Sequence, residues 1–197
     1  MIYVYLHGFN SAYNPENPKV QALSTLGDVI GVNFNSFTTY QEIFEQISRE
    51  IYTQVQDRDN MVLVGTSLGG FWAAEMGRHF GVPSVIINPC YDPCDMLRKC
   101  VGYVMTNYIT GEATVITNEI AESYPTCGMN GKDRTFKFLP LVLLDVGDEV
   151  SAKTLKALEG FPTKVWEGGS HRFDHMDQAI PFIQEYVNRC SVVDHMD

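Results

Sequence analysis

The chain has 197 residues, of which 45% are hydrophobic and 19% are charged, and its formal net charge at pH 7 is −10. This length and balance are typical of one soluble globular domain and are too apolar for a disordered chain. The strong negative charge argues against nucleic acids and anionic membrane surfaces as partners, because both carry negative charge themselves.

No apolar stretch approaches the length of a membrane-spanning helix, and the first residues lack the basic flank and cleavage site of a signal peptide. The five cysteines are an odd number without secretory context, so we expect reduced thiols and a cytoplasmic location. Three of them, Cys90, Cys94 and Cys100, lie close together, but their spacing fits no zinc or iron–sulfur pattern. We therefore expect no metal and no cofactor.

Six segments rich in apolar and β-branched residues predict strands, and they alternate with helical patterns. The predicted strands cover residues 2–6, 28–34, 61–65, 84–87, 138–144 and 163–166. Helical spacing predicts helices over residues 18–26, 40–55, 71–80, 94–104, 152–158 and 176–189. Strands that alternate with helices imply βαβ units. The prediction is therefore an α/β protein with a mostly parallel central sheet of about six strands, helices on both faces, and one domain over residues 1–197.

The third predicted strand runs into the pattern G-x-S-x-G at residues 65–69. An apolar strand, a sharp glycine-flanked turn and a following helix are the context that the nucleophile elbow of α/β-hydrolases requires. Gly65 and Gly69 would give room for a strained backbone at Ser67, whose hydroxyl would stand before a helix N-terminus. The alternative is a glycine-rich strand-to-helix turn with an idle serine.

A serine hydroxyl needs a base within hydrogen-bond distance to act as a nucleophile. In an open parallel sheet, sites form beyond the carboxyl ends of the strands. The loop after the last strand carries His171 behind two glycines, and we predict that this histidine is the base. His7, in the loop after the first strand, is interpreted as a hydrogen-bonded structural residue.

Two acids, Asp145 and Asp148, stand near the end of the fifth strand. If Gly147 makes the turn, Asp148 is the first acid that can face His171, and we prefer it to Asp145 as the carboxylate that orients the base. The backbone N–H groups of Leu68 and Phe9 are the predicted oxyanion hole.

The strand–helix alternation stops over residues 88–137, and long connections inside compact domains are often functional. We predict a cap insertion at about 89–137. Its tyrosines and a methionine suit a lid over the site, with core packing as the equal alternative for each. The predicted substrate contacts are Tyr91, Tyr103 and Met105.

Five short motifs stand in order along the chain: YLHGFNS at 5–11, GTSLGG at 65–70, NP at 88–89, GDEV at 147–150 and EGGSH at 167–171. Together they resemble the YqiA/YcfP family of small bacterial α/β-hydrolases. The resemblance implies a trimmed hydrolase fold, carboxylesterase activity on short acyl esters, and a triad of Ser67, Asp148 and His171. Some YcfP-like members lack the elbow serine, which this sequence keeps.

The leading hypothesis is therefore a serine esterase that cleaves carboxylic esters or thioesters of a small-molecule substrate through an acyl-enzyme. The alternative is a binding or scaffolding protein that keeps the fold and has lost the reaction. The natural substrate and the oligomeric state cannot be predicted from these residues.

Overall fold

The computed structural model describes residues 1–126, 135–147 and 155–194. Within them, six parallel strands form one sheet: β1 (Ile2–Leu6), β2 (Asp28–Val32), β3 (Met61–Thr66), β4 (Ser84–Ile87), β7 (Leu141–Asp145) and β8 (Thr163–Trp166). Their order across the sheet is β2-β1-β3-β4-β7-β8. All six predicted strands are present, and the predicted α/β class is confirmed. The fifth one begins three residues later than predicted, at Leu141.

Helices cover both faces of this sheet. They are α1 (Pro18–Leu23), α2 (Tyr40–Gln54), α3 (Leu68–Phe80), α4 (Pro93–Arg98), α5 (Asn118–Glu122) and α6 (Met176–Asp194), and residues 155–157 are also helical. Strand β1 shows why two faces are filled: Val4 and Leu6 belong to one hydrophobic cluster, and Tyr3 and Tyr5 to the other. Successive strand side chains point to opposite faces, so a run of apolar residues requires apolar helices on each side.

Helices α2 and α3 pack into the first cluster, through side chains such as Ile47 and Trp72. The second receives α1 and α6, through side chains such as Leu23 and Ile183. Asn17 caps the N-terminus of α1: its side chain accepts a hydrogen bond from the Lys19 N–H. Asparagine is one of the preferred residues at this position. The α1 helix ends at Leu23, before the predicted stop at Gly27, and α6 continues five residues beyond the predicted end.

The segment after β4 departs from the prediction. The helix expected over 94–104 ends at Arg98, and the chain continues into an antiparallel hairpin, β5 (Val104–Thr106) with β6 (Ala113–Val115). Apolar residues after Arg98 keep helical spacing and so imitate a continuation of α4, whereas Gly102 lies at φ 84° and breaks it. The α5 helix then packs beside α4. Residues 127–134 of the predicted cap lie outside the described residues.

Among the helices that the structure describes, none is long and apolar enough to cross a membrane.

Candidate active site

Ser67 lies at the turn between β3 and α3 with φ 57° and ψ −121°. A side chain other than glycine rarely adopts this conformation, and such strain is typical of functional sites. Close packing enforces it: a Cβ on Gly65 would lie 1.9 Å from the Gly69 carbonyl oxygen, and one on Gly69 would lie 2.2 Å from that of Leu6. The two glycines therefore let the helix start directly against β1, which presents Ser67 at the carboxyl edge of the sheet.

His171 meets Ser67 across this edge. Its Nε2 lies 3.0 Å from the Ser67 Oγ, which is a normal hydrogen-bond distance for a nucleophile and its base. The loop after β8 reaches this position through Gly168 and Gly169, both at φ 79°. A Cβ on Gly169 would lie 2.0 Å from Oδ2 of Asp145, so only glycine fits over that carboxylate. The structure thus brings together two residues that are 104 positions apart in the chain.

Residues 87–90, at the end of β4 and directly after it, hold the backbone of Ser67. The Ser67 N–H donates to the Ile87 carbonyl at 3.0 Å, and the Cys90 N–H donates to the Ser67 carbonyl at 2.9 Å. Between these contacts, the buried Asn88 side chain donates to the carbonyls of Ser170 at 3.0 Å and His171 at 3.4 Å. One short segment is therefore hydrogen-bonded to the nucleophile on one side and, on the other, to residues 167–175, the loop that carries His171 and is called the histidine loop below.

Asp145, the last residue of β7, anchors the same histidine loop through its carboxylate. Its side chain has no exposed surface, and its two oxygens accept hydrogen bonds from His175 Nδ1 at 2.8 Å and from the Asp174 N–H at 2.9 Å. The Asp145 N–H in turn donates to Oδ1 of Asn88 at 2.9 Å. Both carboxylate oxygens are therefore engaged away from His171.

The structure describes only one of the two acids near the end of the fifth strand. Asp145 pairs with His175, whose side chain is only 20% exposed. Asp148, the predicted orienting acid, lies outside the described residues, so its role stays a prediction.

The loop after β1 forms the opposite wall. His7 is buried, its Nε2 accepts a hydrogen bond from the Phe34 N–H at 3.3 Å, and its Nδ1 lies 2.9 Å from the Gly8 carbonyl. These contacts place the proton on Nδ1, and burial lowers the pKa of His7 to about 4. His7 is thus a neutral structural residue, as its context in the sequence predicted.

Gly8 and Phe9 continue this wall towards the serine. A Cβ on Gly8 would lie 3.5 Å from the Ser67 Cβ, so the first loop runs directly beside the elbow. Leu68 is the first residue of α3, where backbone N–H groups have no acceptor within their own helix. The predicted oxyanion donors, the N–H groups of Phe9 and Leu68, therefore belong to segments that flank Ser67.

A cavity of about 610 Å³ opens in front of the Ser67–His171 pair. The first loop and the start of α1 form one side, and the histidine loop forms the other. From the predicted cap, the described residues that line it are Tyr108 and Ile109, at the turn of the β5–β6 hairpin.

The cap residues predicted from the sequence as substrate contacts lie elsewhere. Tyr91 and Met105 pack against the hydrophobic core, and Tyr103 is 66% exposed. None of the three is among the residues that line the cavity. In the sequence, Tyr108 is one of several cap tyrosines with no distinguishing pattern, and no pattern indicates that Ile109 lines the cavity. The polar turn around Gly111 was the available signal that a hairpin would bring them forward.

Neither a cysteine nucleophile nor a metal centre is supported by the residues that the structure describes around this site. Four free cysteines lie within the described residues, and Cys90 is the one next to the elbow. Burial raises the pKa of the Cys90 thiol to about 12, which disfavours the reactive thiolate. Across residues 1–126, 135–147 and 155–194, no group of three or more His, Cys, Asp or Glu side chains could hold a metal ion.

Comparison with protein families identifies the chain. A family model described as "Uncharacterised protein family (UPF0227)" matches residues 2–188. The chain belongs to the UPF0227 family. A UPF0227 protein of Vibrio atlanticus is 27% identical over 192 residues, which cover 94% of this chain and 98% of the relative. Another, VP0969 of Vibrio parahaemolyticus, is 25% identical over 194 residues, with coverages of 94% and 98%. The resemblance to the YqiA/YcfP group is thereby confirmed.

Solved structures agree on the fold of this UPF0227 protein. Est1E from Butyrivibrio proteoclasticus superposes with a TM-score of 0.71 at 13% identity, covering 97% of this chain and 88% of Est1E. The esterase domain of a Rhodothermus marinus protein gives 0.67 at 17% identity, with coverages of 95% and 86%. At such low identity the likeness establishes the α/β-hydrolase fold, and the chemistry has to be argued from the site.

Proposed function

We propose that this protein is a serine hydrolase that cleaves carboxylic esters or thioesters through an acyl-enzyme. The observation that carries the proposal is the 3.0 Å contact between Ser67 Oγ and His171 Nε2, made by a serine in a strained strand-to-helix turn. A structural serine at a turn requires neither the unfavourable backbone nor a histidine partner. The fold neighbours Est1E and the esterase domain of the Rhodothermus marinus protein agree with this chemistry by their names.

In the proposed reaction, Ser67 Oγ attacks the substrate carbonyl while His171 Nε2 accepts the hydroxyl proton. The tetrahedral oxyanion receives hydrogen bonds from the N–H groups of Leu68 and Phe9, close to the positive end of α3. His171 then returns the proton to the leaving alcohol or thiol, whose bond to the carbonyl carbon breaks. Water, activated by the same histidine, hydrolyses the acyl-enzyme and regenerates Ser67.

Asp148 is proposed as the acid that orients His171. Two observations support it over Asp145: the Asp145 oxygens are bound to His175 and to the Asp174 N–H, and β7 leads towards the histidine loop. The Gly147 N–H donates to the Gly168 carbonyl at 3.2 Å, so the chain just before Asp148 runs against the loop that carries His171.

A fluorophosphonate probe tests the proposal, because it labels an activated serine and leaves idle hydroxyls unmodified. We expect labelling of the wild-type protein and none of Ser67→Ala, measured by intact mass. The kcat for p-nitrophenyl acetate should fall by several orders of magnitude in the same variant. Ser24→Ala is the matched control, because its hydroxyl is exposed and bonds the Gln21 carbonyl at the end of α1. Equal labelling or turnover of wild type and Ser67→Ala contradicts the proposal, and absence of both in the wild type favours a binding protein.

A further inference from the structure

The cavity in front of Ser67 contains a buried positive charge. Lys19 is the second residue of α1, it lines the cavity together with Ser67 and His171, and only 9% of its surface is exposed. Lysine is almost never buried to this extent unless its charge is paired, because an ammonium loses several kcal/mol of hydration in the interior. The sequence offered no reason for this burial, since Lys19 stands in the first turn of a short surface helix.

The ammonium of Lys19 is incompletely satisfied by the described part of the chain. Its Nζ donates a hydrogen bond to the carbonyl of Arg172, and no ion pair of Lys19 occurs among the described residues. A lysine ammonium carries three donors. Two of them therefore have no acceptor within the described part of the chain and can serve a molecule that enters the cavity.

Charged groups of both signs surround the Lys19 side chain. Burial is the largest influence on its pKa and lowers it, and Arg172 lowers it further, while Asp174 and Asp145 raise it. Asp145 is committed to His175, and Asp174 and Asp177, which also line the cavity, are exposed. Solvent screens the two exposed carboxylates more strongly than it screens the buried ammonium. An anion in the cavity therefore meets a desolvated donor group.

We propose that Lys19 binds an anionic group of the substrate, so that the preferred substrates are esters or thioesters carrying a carboxylate or phosphate near the scissile bond. The inference rests on the proposed hydrolase function. Its geometry follows from the chain: Arg172, whose carbonyl holds the ammonium, directly follows His171, and consecutive Cα atoms are about 3.8 Å apart. A substrate whose carbonyl lies at Ser67 can reach Lys19 within the same cavity.

The test compares matched charged and neutral esters. On the acyl side, mono-4-nitrophenyl adipate is paired with its methyl ester; on the alcohol side, 4-acetoxybenzoate is paired with its methyl ester. The quantity measured is the ratio of kcat/KM for the charged ester to that for the neutral one. We expect Lys19→Met to lower this ratio at least tenfold in one pair, and Lys19→Arg to retain most of it. The pair that responds identifies the side on which the anion lies.

The variants separate anion binding from tethering of the loop. Loss of the bond to the Arg172 carbonyl affects both esters of a pair alike, so an equal fall for both in Lys19→Met overturns the proposal. Arg172→Met removes the other cation of the cavity while keeping that backbone carbonyl. A change of ratio in Arg172→Met as large as in Lys19→Met overturns the assignment to Lys19.

A binding measurement keeps this inference distinct from the hydrolase proposal. Calorimetric titration of Ser67→Ala with monomethyl adipate, and separately with 4-acetoxybenzoate, requires no turnover. We expect Kd for one of the two ligands to rise at least tenfold when Lys19→Met is added, and an unchanged Kd for both overturns the anion subsite. If wild type turns over none of the esters yet this Kd rises, the hydrolase proposal fails and the anion subsite stands.

Discussion

The substitution Asn88→Asp should disturb the geometry of the proposed catalytic pair, Ser67 and His171, while leaving both residues unchanged. The two side chains have the same shape, and the aspartate keeps an oxygen to accept from the Asp145 N–H. It loses the NH₂ group that donates to the carbonyls of Ser170 and His171 at 3.0 and 3.4 Å. An oxygen then faces two carbonyl oxygens in a buried position, so the histidine loop must move away.

The size of the effect follows from these contacts. Leaving a buried acceptor without its donor costs about 1–3 kcal/mol, and the longer contact to His171 is the weaker of the two. We expect the free energy of unfolding to fall by about 2–4 kcal/mol, which a typical domain survives. A shift of His171 by about 1 Å costs about 10²-fold in rate. The kcat should therefore fall about a hundredfold with a smaller change in KM, because the first loop and the start of α1, which form the other side of the cavity, keep their positions.

The assay is p-nitrophenyl ester turnover together with the rate of fluorophosphonate labelling, each alongside urea denaturation. Ile47→Ala is the matched control: Ile47 is fully buried in the hydrophobic cluster into which α2 and α3 pack, and its truncation costs about 2–5 kcal/mol. We expect it to unfold more easily while it keeps its kcat. Equal kcat values for Asn88→Asp and wild type refute the reasoning, as does an equal loss of kcat in the Ile47→Ala control.

Four further outcomes are expected. Asp148→Asn should lower kcat by about 10⁴-fold, whereas Asp145→Asn should chiefly lower the urea midpoint; the reverse order would exchange their roles. Because the pKa of His7 is about 4 in the folded protein, against an ordinary histidine value of 6.5, the unfolded state binds more protons between these pH values. Stability should fall by up to about 3 kcal/mol as pH falls from 6.5 to 4, and His7→Gln should flatten that slope in denaturation series. Gly69→Ala should abolish labelling or folding, since its Cβ would lie 2.2 Å from a β1 carbonyl, and a labelled, stable variant contradicts this. With neutral p-nitrophenyl esters of two to twelve carbons, kcat/KM should fall as the acyl chain lengthens, because each methylene that does not fit the pocket costs about 1–3 kcal/mol of binding free energy. A flat profile would show that the cavity beside Tyr108 does not select by length.

The elements that could be predicted from the sequence are those specified by neighbouring residues. Strand β3 begins with four consecutive apolar residues, and the elbow carries glycines at two positions where a Cβ would collide with backbone, Gly65 and Gly69. The Thr39 capping box and the Asn17 cap likewise act within three residues of the helix starts. In each case the sequence pattern and the local structure have the same physical cause.

The hairpin after α4 shows where such patterns fail. Its strands are three residues each, and their burial alternates between exposed and half-buried, so they carry no apolar signature. Val101 and Met105 continue the helical spacing of α4, and a window of sequence cannot distinguish that spacing from a short two-stranded ribbon. Placing Tyr108 in the cavity required the hairpin to be known first.

The polar side chains that organise the site are the ones that the sequence could not reveal. Lys19 meets Arg172 across 153 residues, and Asp145 meets His175 across 30. Neither pair forms a motif, because no periodicity links such distant positions. Asn88 was noted only as part of a family motif, and its amide acquires a role when β4 and β8 end at the same edge of the sheet. Buried polar groups must be hydrogen-bonded, and their partners come from whichever loops the topology brings together. The positions of the nucleophile and base are therefore predictable from strand ends, whereas the side chains that hold and surround them become visible only in the folded chain.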